Sequence, residues 1–462
     1  MKRLLKGGAV AGGNGVVRAD VLIDGEKIAA VGLDLPEEGA QVEDVTEKLL
    51  LPGFIDAHTH FDLDVAGTTT ADDFASGTRS ALRGGTTTVV DFACPNRGES
   101  LRSALDAWHK KADGKAVCDY GFHMTLVEWN EKVKKELLHM YVNGVTSFKM
   151  YMTYPALRME DADLFRALEE IRDLRALVGV HCENGDVIDA LIEQGREKAA
   201  GPMGPAFHPL SRPAALEAEA VGRLLRIAEV ANCPVTIVHL SSEAGLEEVR
   251  AARRRGQRVL VETCPQYLFL DDGVYYEDDF NTAAGCVCAP PLREESDRAA
   301  LIRGLAAGEI QTVCTDHCSF TLEQKAAGRD DFTKIPGGLP GVETRGVLIY
   351  SNLVDNRRLS IGQMVRVLSE NPAKLYGMWP RKGVLAPGSD ADIVVYDPEA
   401  ETVITGADQL SKAGYTPYEG FRTVGAIEKV FLRGTLAVEK GSVAEGVKGQ
   451  FVFRGRPLFG EV

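Results

Sequence analysis

The chain has 462 residues, 45% of them hydrophobic, which is enough for one barrel-sized domain with an appendage or for two to three ordinary domains. Its 52 basic and 67 acidic residues give a net charge of -15, and no block of Lys or Arg marks a surface for nucleic acid or for an anionic membrane. We therefore expect neither partner.

The start of the chain is basic but has no apolar core of signal-peptide length, and no later run approaches the roughly 20 apolar residues that span a bilayer. The nine cysteines are odd in number and scattered, often inside apolar runs, which is typical of buried thiols rather than of a disulfide framework. These features predict a soluble cytoplasmic protein.

The two ends of the chain carry strand patterns that are too small to bury a core alone. Ala19–Val31 contains two strand-like runs joined by Asp24-Gly25, a strong hairpin signal, and similar runs recur at 391–396 and 427–438. We predict that both ends assemble one small β-sandwich. The predicted domains are residues 1–50 and 381–440 for the sandwich, 51–380 for a separate catalytic domain, and 441–462 for a C-terminal tail.

The middle of the chain alternates strand and helix patterns. Thr70 is predicted to cap a helix over 71–83 with Asp73 as its capping-box acid, and another helical run extends from Glu243 to Arg255. Eight strands alternating with helices favour a (β/α)₈ TIM barrel, with an open doubly wound sheet as the alternative. The predicted strands are 53–60, Thr86–Phe92, Tyr120–Leu126, Thr146–Met152, Ala176–His181, Pro234–His239, Arg258–Thr263 and Ile310–Asp316.

The first of these strands ends at two histidines one residue apart, His58 and His60. Alternate side chains of an extended strand share a face, so both imidazoles point the same way and make half a metal site. Taken alone, the pair fits two solvent-facing histidines at a strand end better than a metal site. The residues at the ends of the later strands decide between these interpretations.

Four further polar residues, Lys149, His181, His239 and Asp316, lie at or near the C-terminal ends of predicted strands, where a barrel gathers its loops. Each alone has an ordinary explanation, such as a hydrogen-bonded core histidine, a snorkelling lysine or a helix cap. Together with the first two histidines they indicate a metal centre.

Imidazole nitrogens and carboxylate oxygens suit zinc first, with cobalt, manganese and nickel as alternatives. A lysine ammonium has no lone pair, so Lys149 fits such a centre only if it is chemically altered or held away from the metal. Burial beside cations lowers the pKa of a lysine, and a free amine can add carbon dioxide to give a carbamate whose two oxygens bridge two ions.

These residues stand in motifs that resemble the cyclic amidohydrolases, in particular the dihydropyrimidinase and D-hydantoinase branch, over about residues 50 to 400. The matching stretches are Pro52–His60, Thr70–Thr78, Ser147–Met150, His181–Asp186, Val238–Ser241, Pro290–Arg293, Thr315–Cys318, Gly338–Glu343 and Gly388–Asp392. The resemblance implies a barrel with a composite sandwich, a pair of metal ions and a homotetramer.

The resemblance also implies a role for each site residue. The ligands would be His58, His60 and Asp316 for one ion, His181 and His239 for the other, and a carboxylated Lys149 bridging them. Tyr154 would polarise the substrate carbonyl, and Asp316 would carry a proton from the attacking water to the leaving ring nitrogen. The implied reaction is ring opening of hydantoins or dihydropyrimidines, which are small cyclic ureides, to N-carbamoyl amino acids.

Two substrate-contact positions depart from the family pattern, since Ala289 stands where the family has serine and Gly337 where it has asparagine. The family contacts there are largely main-chain, so binding survives while the preferred ring stays open. Dihydroorotases place an arginine after the second histidine, whereas Phe61 and Asp62 follow here, which predicts an uncharged substrate. Three loops are expected around its exocyclic group, namely Asp62–Ala71, Cys94–Ser100 and Thr153–Asp163.

Other classes remain open. Allantoinase is the nearest alternative among the amidohydrolases. A mononuclear deaminase also uses the paired histidines, two further histidines and an aspartate, but does not need Lys149. A non-enzymatic homologue is expected to have lost ligands, whereas all six positions are present here.

Overall fold

The computed structural model describes residues 2–199 and 201–462. Residue 1 of the predicted segment 1–50 and residue 200 of the predicted segment 51–380 lie outside the described part. The strands are β1 (Lys2–Gly12), β2 (Gly15–Asp24), β3 (Lys27–Gly32), β4 (Ala40–Asp44), β5 (Leu49–Pro52), β6 (Phe54–Thr59), β7 (Asp64–Val65), β8 (Thr68–Thr69), β9 (Thr86–Ala93), β10 (Asp119–Thr125), β11 (Ser147–Tyr151), β12 (Leu177–His181), β13 (Val235–Ile237), β14 (Val259–Thr263), β15 (Thr312–Val313), β16 (Ile393–Val403), β17 (Arg422–Leu432), β18 (Thr435–Glu439) and β19 (Ser442–Val443).

Helices follow most strands of the middle region. They are α1 (Phe74–Arg83), α2 (Leu101–Ala112), α3 (Glu131–Val142), α4 (Asp161–Asp173), α5 (Gly185–Lys198), α6 (Phe207–Ser211), α7 (Ala214–Ala231), α8 (Glu243–Arg254), α9 (Pro265–Phe269), α10 (Phe280–Gly285), α11 (Glu295–Ala306), α12 (Leu322–Lys325), α13 (Arg345–Ile349), α14 (Ile361–Val365) and α15 (Asn371–Leu375), with π-helical turns at Tyr350–Asp355 and Arg366–Glu370. Within the described residues, none of the helices combines the length and the apolar character needed to cross a membrane.

Eight parallel strands, β6 and β9 to β15, lie side by side in chain order, which confirms the predicted (β/α)₈ barrel over an open sheet. The first and last strands meet where Thr59 pairs with His317 and the His60 amide donates to the His317 carbonyl at 2.8 Å. The buried Arg345 guanidinium completes this seam by donating to the carbonyls of Ile55 at 2.9 Å and Val313 at 2.8 Å.

Where the first and last strands meet, the Asp56 carboxylate replaces a main-chain carbonyl as a hydrogen-bond acceptor. The Thr315 amide donates to Asp56 Oδ1 at 3.1 Å, and the Thr315 hydroxyl donates to Asp56 Oδ2 at 2.7 Å. Because this amide bonds to a side chain rather than to a neighbouring strand, β15 spans only Thr312–Val313 and is shorter than the predicted Ile310–Asp316.

The remaining long strands confirm the predicted second β-domain, which is built from both chain ends in the order β19-β18-β17-β16-β5-β1-β2-β3, with β4 beside β1. β3 and β16 are four strands apart in this order, yet Lys27 pairs with Asp390 and the Ala391 amide donates to the Glu26 carbonyl at 2.8 Å. The sheet therefore folds over onto itself, as in a sandwich.

The apolar run before the paired histidines belongs to both domains. Leu49–Pro52 pairs with β1 and β16 in the composite sheet, and after Gly53 the chain enters the barrel as β6. A side chain at Gly53 would meet the Thr87 hydroxyl at 2.2 Å, so glycine permits the close approach at this crossing.

The predicted start of the first barrel helix is wrong. α1 begins at Phe74 and is capped by Asp73, which forms a reciprocal capping box with Ser76. Thr70 lies at the end of the short hairpin instead, where its hydroxyl accepts a hydrogen bond from the Leu63 amide at 3.0 Å. The capping residue is therefore Asp73, which the sequence interpretation had placed inside the helix as the capping-box acid.

The C-terminal tail packs on its own barrel, although its sequence shows no obvious core to join. Phe451 pairs with Tyr120 of β10, and the Val452 amide donates to the Tyr120 carbonyl at 2.7 Å. The side chain of Arg454 enters the barrel, where it is 1% exposed and donates to the Ser147 hydroxyl at 2.8 Å. The tail thus covers the barrel next to β10.

Candidate metal centre and active site

The structure brings all six predicted ligands together at the C-terminal ends of the barrel strands. His58 Nε2 lies 3.2 Å and His60 Nε2 lies 3.1 Å from the same oxygen, Asp316 Oδ1. The rings of His181 and His239 are 4.5 Å apart, and the His239 ring is 5.4 Å from that of His58. These distances define one compact cluster.

Lys149 lies in the centre of this cluster. Its side chain is 1% exposed, its Nζ is 3.3 Å from His58 Nε2, and the rings of Phe92 and Tyr151 flank it at 4.9 and 5.2 Å. Burial lowers the pKa of Lys149. Within the described residues, no carboxylate comes within ion-pair distance of it, so the amine lacks the partner that a buried ammonium normally requires.

A second buried lysine shows the usual arrangement. Lys382 Nζ lies 2.7 Å from Asp119, 3.1 Å from Asp390 and 2.6 Å from Asp392, and although burial opposes it, these carboxylates raise the pKa of Lys382. The three aspartates have the spacing of a cation site, and the lysine ammonium takes the cation's place there. Unlike Lys382, Lys149 has no carboxylate partner among the described residues, which is unusual for a buried lysine.

The protonation states suit metal binding. Burial lowers the pKa of His58, His181 and His239, so their imidazoles are neutral and keep a lone pair. Burial by itself raises the pKa of Asp316, but the adjacent His58 and His60 outweigh it and hold this carboxyl well below its usual range. The cluster therefore offers neutral nitrogens and one anionic oxygen.

Two glutamates orient the histidines. His58 Nδ1 donates to Glu262 Oε1 at 2.6 Å, and His181 Nε2 donates to Glu183 Oε2 at 2.7 Å. Each bond places the ring proton on the nitrogen that faces the glutamate. The opposite nitrogen therefore keeps a lone pair that can bind a metal ion, as in the carboxylate–histidine pairs of metal sites. The candidate ligand atoms of His58, His60 and Asp316 also lie within 4.8 Å of one another, so the donor set fits a divalent ion.

Three site residues adopt the left-handed backbone conformation that non-glycine residues avoid. The φ angles are 65° for Tyr154, 39° for His239 and 52° for Asp316. Each costs on the order of 1–3 kcal/mol, which the surrounding structure must offset. The left-handed residue His239 follows β13, which ends at Ile237 rather than at the predicted His239.

Tyr154 stands at the edge of the cluster. Its ring is 5.3 Å from that of His181 and 5.5 Å from the Arg212 guanidinium carbon. Burial raises the pKa of its hydroxyl, so the tyrosine keeps its proton and can donate a hydrogen bond. Arg212 itself donates to Glu183 Oε2 at 2.6 Å. Burial raises the pKa of Glu183, but Arg212 and His181 outweigh it and lower that pKa to about 2.

The other predicted substrate positions lie in two adjoining loops. Ala289 is half-buried and Gly337 is exposed, and the loops join where the Gly338 amide donates to the Val287 carbonyl at 2.9 Å. Arg293, in the same loop as Ala289, donates to the Ser241 hydroxyl at 3.0 Å. Its guanidinium also lies 3.8 Å from Glu217, a buried carboxylate.

Glu262 was missed by the sequence interpretation although it lies near the C-terminal end of a predicted strand. It is fully buried, and burial raises its pKa to about 7. The rule that polar residues at strand ends belong to the site would have found it. His317 was also missed: its Nε2 donates to Asp72 Oδ2 at 3.1 Å, while its carbonyl holds the His60 amide.

A (β/α)₈ barrel whose strand ends present four histidines, an aspartate and a solitary buried lysine defines a class of metal-dependent hydrolases. A model of the amidohydrolase family matches residues 49–437. The chain is 42% identical over 460 residues to a D-hydantoinase of Geobacillus stearothermophilus, with 99% of this chain and 97% of that protein covered. It is 39% identical over 462 residues to a D-phenylhydantoinase of Escherichia coli O1:K1, covering 98% of each.

Solved structures agree with this placement. A dihydropyrimidinase from Brevibacillus agri NCHU1002 superposes with a TM-score of 0.96 at 42% identity, covering 99% of both chains. An L-hydantoinase (dihydropyrimidinase) from Arthrobacter aurescens superposes with a TM-score of 0.88 at 30% identity, covering 98% of this chain and 100% of that one. The chain belongs to the amidohydrolase family, among the hydantoinases and dihydropyrimidinases, and is a cyclic amidohydrolase.

Proposed function

We propose that this enzyme hydrolyses the ring amide of hydantoins and dihydropyrimidines and opens the ring to an N-carbamoyl amino acid. The observation that carries the proposal is the cluster in which His58, His60 and Asp316 meet beside the solitary Lys149. Similarity to D-hydantoinases over nearly the full length supports the same substrate class.

We propose two divalent ions, zinc first, as the cofactor, with Lys149 carboxylated between them. The buried, unpaired amine supports the modification, because an ammonium beside two cations is electrostatically unfavourable and a carbamate is anionic. Bound metal would lower the pKa of a water and polarise the substrate carbonyl. Proton transfer and hydrogen bonding to the substrate would be carried out by side chains of the protein.

Asp316 would accept the proton of the attacking water; its ionised carboxylate, which lies among the candidate ligands, supports this role. It would then deliver this proton to the ring nitrogen, since an amide nitrogen does not leave as an anion. Tyr154 keeps its proton and would donate to the oxyanion that develops on the carbonyl.

Replacing Tyr154 with phenylalanine should lower kcat by about a hundredfold, because one hydrogen-bond donor to the oxyanion is lost while the ring is kept. Steady-state kinetics on 5-phenylhydantoin would measure this, with Tyr276→Phe, an exposed tyrosine, as the matched control. An unchanged kcat in Tyr154→Phe would assign the oxyanion to another donor.

The substrate is expected to be uncharged. Three arginines around the site are engaged. Arg212 pairs with Glu183, Arg293 contacts Ser241 and Glu217, and Arg158 of the loop Thr153–Asp163 pairs with Asp186. A substrate carboxylate would thus lose its hydration without gaining a cationic partner. This penalty of several kcal/mol should make kcat/KM for dihydroorotate about a thousandfold lower than for 5-phenylhydantoin. Equal use of both substrates would contradict the proposal.

A panel of hydantoin, 5-phenylhydantoin, dihydrouracil, allantoin and dihydroorotate tests the proposed function directly. Highest kcat/KM on a hydantoin or on dihydrouracil is the expected result, whereas a preference for allantoin would favour the allantoinase alternative. Metal analysis should give two ions per chain, and a single ion would instead favour mononuclear chemistry of the deaminase type.

We propose further that the protein is a cytoplasmic homotetramer and that its domains follow the predicted bounds 1–50, 51–380, 381–440 and 441–462, except that β5 extends the sandwich to Pro52 and β19 extends it to Val443. The oligomer rests on the resemblance alone, since the C-terminal tail packs against its own barrel. Analytical ultracentrifugation at micromolar concentration checks the tetramer, and a monomer would exclude it.

A further inference from the structure

A single helical turn, α12 (Leu322–Lys325), carries a second lysine that lacks an acidic partner. Lys325 is fully buried, and its Nζ donates to the carbonyl oxygens of Val287 at 3.1 Å and Pro336 at 3.0 Å. In the described part of the chain, no carboxylate lies within ion-pair distance of it. Both hydrogen-bond acceptors of Lys325 Nζ are therefore main-chain carbonyl oxygens.

The surroundings of Lys325 do not compensate its charge. Burial lowers the pKa of Lys325 to about 8, and the nearby polar groups are the thiols of Cys286, Cys288 and Cys318. Burial raises the pKa of these three thiols, so they remain neutral. Burying an amine without a charged partner is unfavourable, so its two hydrogen bonds must supply part of the compensation.

The two carbonyls belong to the loops that carry the predicted substrate positions. Val287 lies two residues before Ala289, and Pro336 directly precedes Gly337. The Lys325 side chain therefore connects these loops, in addition to the main-chain bond between Gly338 and Val287. Main-chain groups are well suited to recognise the polar edges of a ring only if their positions are fixed.

The residue before Lys325 reaches a third loop. Gln324 Nε2 donates to the Thr68 hydroxyl at 2.7 Å and to the Thr69 carbonyl at 2.8 Å, and both threonines form strand β8 of the short hairpin. This hairpin lies in the loop Asp62–Ala71 that is expected beside the exocyclic group of the substrate. Two consecutive side chains thus hold three loops of the pocket.

We propose that Lys325 and Gln324 are positioning residues for substrate binding: Lys325 fixes the two main-chain loops that recognise the ring, and Gln324 fixes the hairpin that borders the ring substituent. The inference deepens the proposed function and rests on it. Neither residue is among the metal ligands, so the effect should appear in KM rather than in metal content or kcat.

Lys325→Met keeps the length and apolar stem of the side chain but removes its donors. The expected result is a rise in KM for dihydrouracil of about tenfold or more, with kcat within about threefold of wild type, because two carbonyls lose a donor while the metal centre is untouched. Metal content should stay at the wild-type value. Lys334→Met is the matched control, since that lysine is exposed on a neighbouring turn.

Gln324→Glu tests the second contact, because glutamate keeps an oxygen that can accept from the Thr321 amide in the capping box of α12 but lacks the amide donor to Thr68 and Thr69. Exposed Glu323→Ala is its control. The KM for 5-phenylhydantoin should rise more than the KM for unsubstituted hydantoin. An unchanged ratio of these two KM values would overturn the role of Gln324.

The outcomes separate this inference from the proposed function. A wild-type chain loaded with metal that acts on none of the ureides would refute the function itself. An active wild type with an unchanged KM in Lys325→Met would refute only the positioning role of Lys325. A variant that loses metal, kcat and thermal stability together would make Lys325 a general structural residue and would also refute it.

Discussion

Lys149→Ala is expected to abolish metal binding and ring hydrolysis together. The amine lies 3.3 Å from His58 Nε2 in the centre of the ligand cluster, and no side chain of this cluster can replace a bridging carbamate. If Lys149 carries the proposed bridging carbamate, its removal would leave neutral histidines and one carboxylate to balance two dications. Metal content after dialysis and kcat on 5-phenylhydantoin should both fall to the background level.

Chemical rescue distinguishes a lost bridge from a lost fold. Short-chain carboxylic acids fit the space left by the lysine side chain and should restore part of the activity of Lys149→Ala when metal is added. Lys115→Ala, an exposed lysine, is the control and should behave as wild type. In the wild type, isotope-labelled bicarbonate should exchange into a carbamate signal. A free Lys149 amine in a fully active two-metal enzyme would rule out the modification.

The barrel could be predicted because most of its strands are short runs rich in apolar and β-branched residues. Thr86–Ala93, for example, extends the predicted strand by a single residue. Strand ends were less predictable where a distant side chain intervenes. Thr315 leaves the β-ladder because Asp56, far away in sequence, accepts its amide hydrogen bond.

The helix start at Thr70 shows the same limit. Thr70 and Asp73 are both good capping residues, so the local sequence does not distinguish them. The hydroxyl of Thr70 is already used by Leu63 across the hairpin, and this leaves Asp73 as the cap. A tertiary contact therefore decided between two equally good local signals.

The site was predictable to the extent that its residues lie at or near the C-terminal ends of barrel strands. This pattern identified His181 and Lys149 and would also have identified Glu262. It could not identify Lys325, which lies in the short helix α12 rather than on a barrel strand and whose partners are main-chain carbonyls that no residue type reveals. Nor did the tail indicate that Arg454 would enter the barrel, since that contact joins residues more than three hundred positions apart.

Asp316→Asn should retain substrate binding and lose about 10⁴-fold in kcat, because an amide cannot accept the proton of the attacking water or pass it to the leaving nitrogen. The carboxylate lies 3.1 Å from His60 Nε2 and 3.2 Å from His58 Nε2, so one ligand oxygen remains in place after the change. Steady-state kinetics with metal analysis on the same sample would separate lost proton transfer from lost metal.

The pH profile gives an independent test of this role. The histidines hold the pKa of Asp316 well below its usual range, so the residue is ionised throughout the neutral range and should not limit kcat on the acidic side there. Asp278→Asn, at an exposed position, is the matched control and should keep wild-type kcat. Near-normal turnover in a metal-loaded Asp316→Asn enzyme would mean that another group carries the proton, and the ionised Asp316 would then serve only as a ligand.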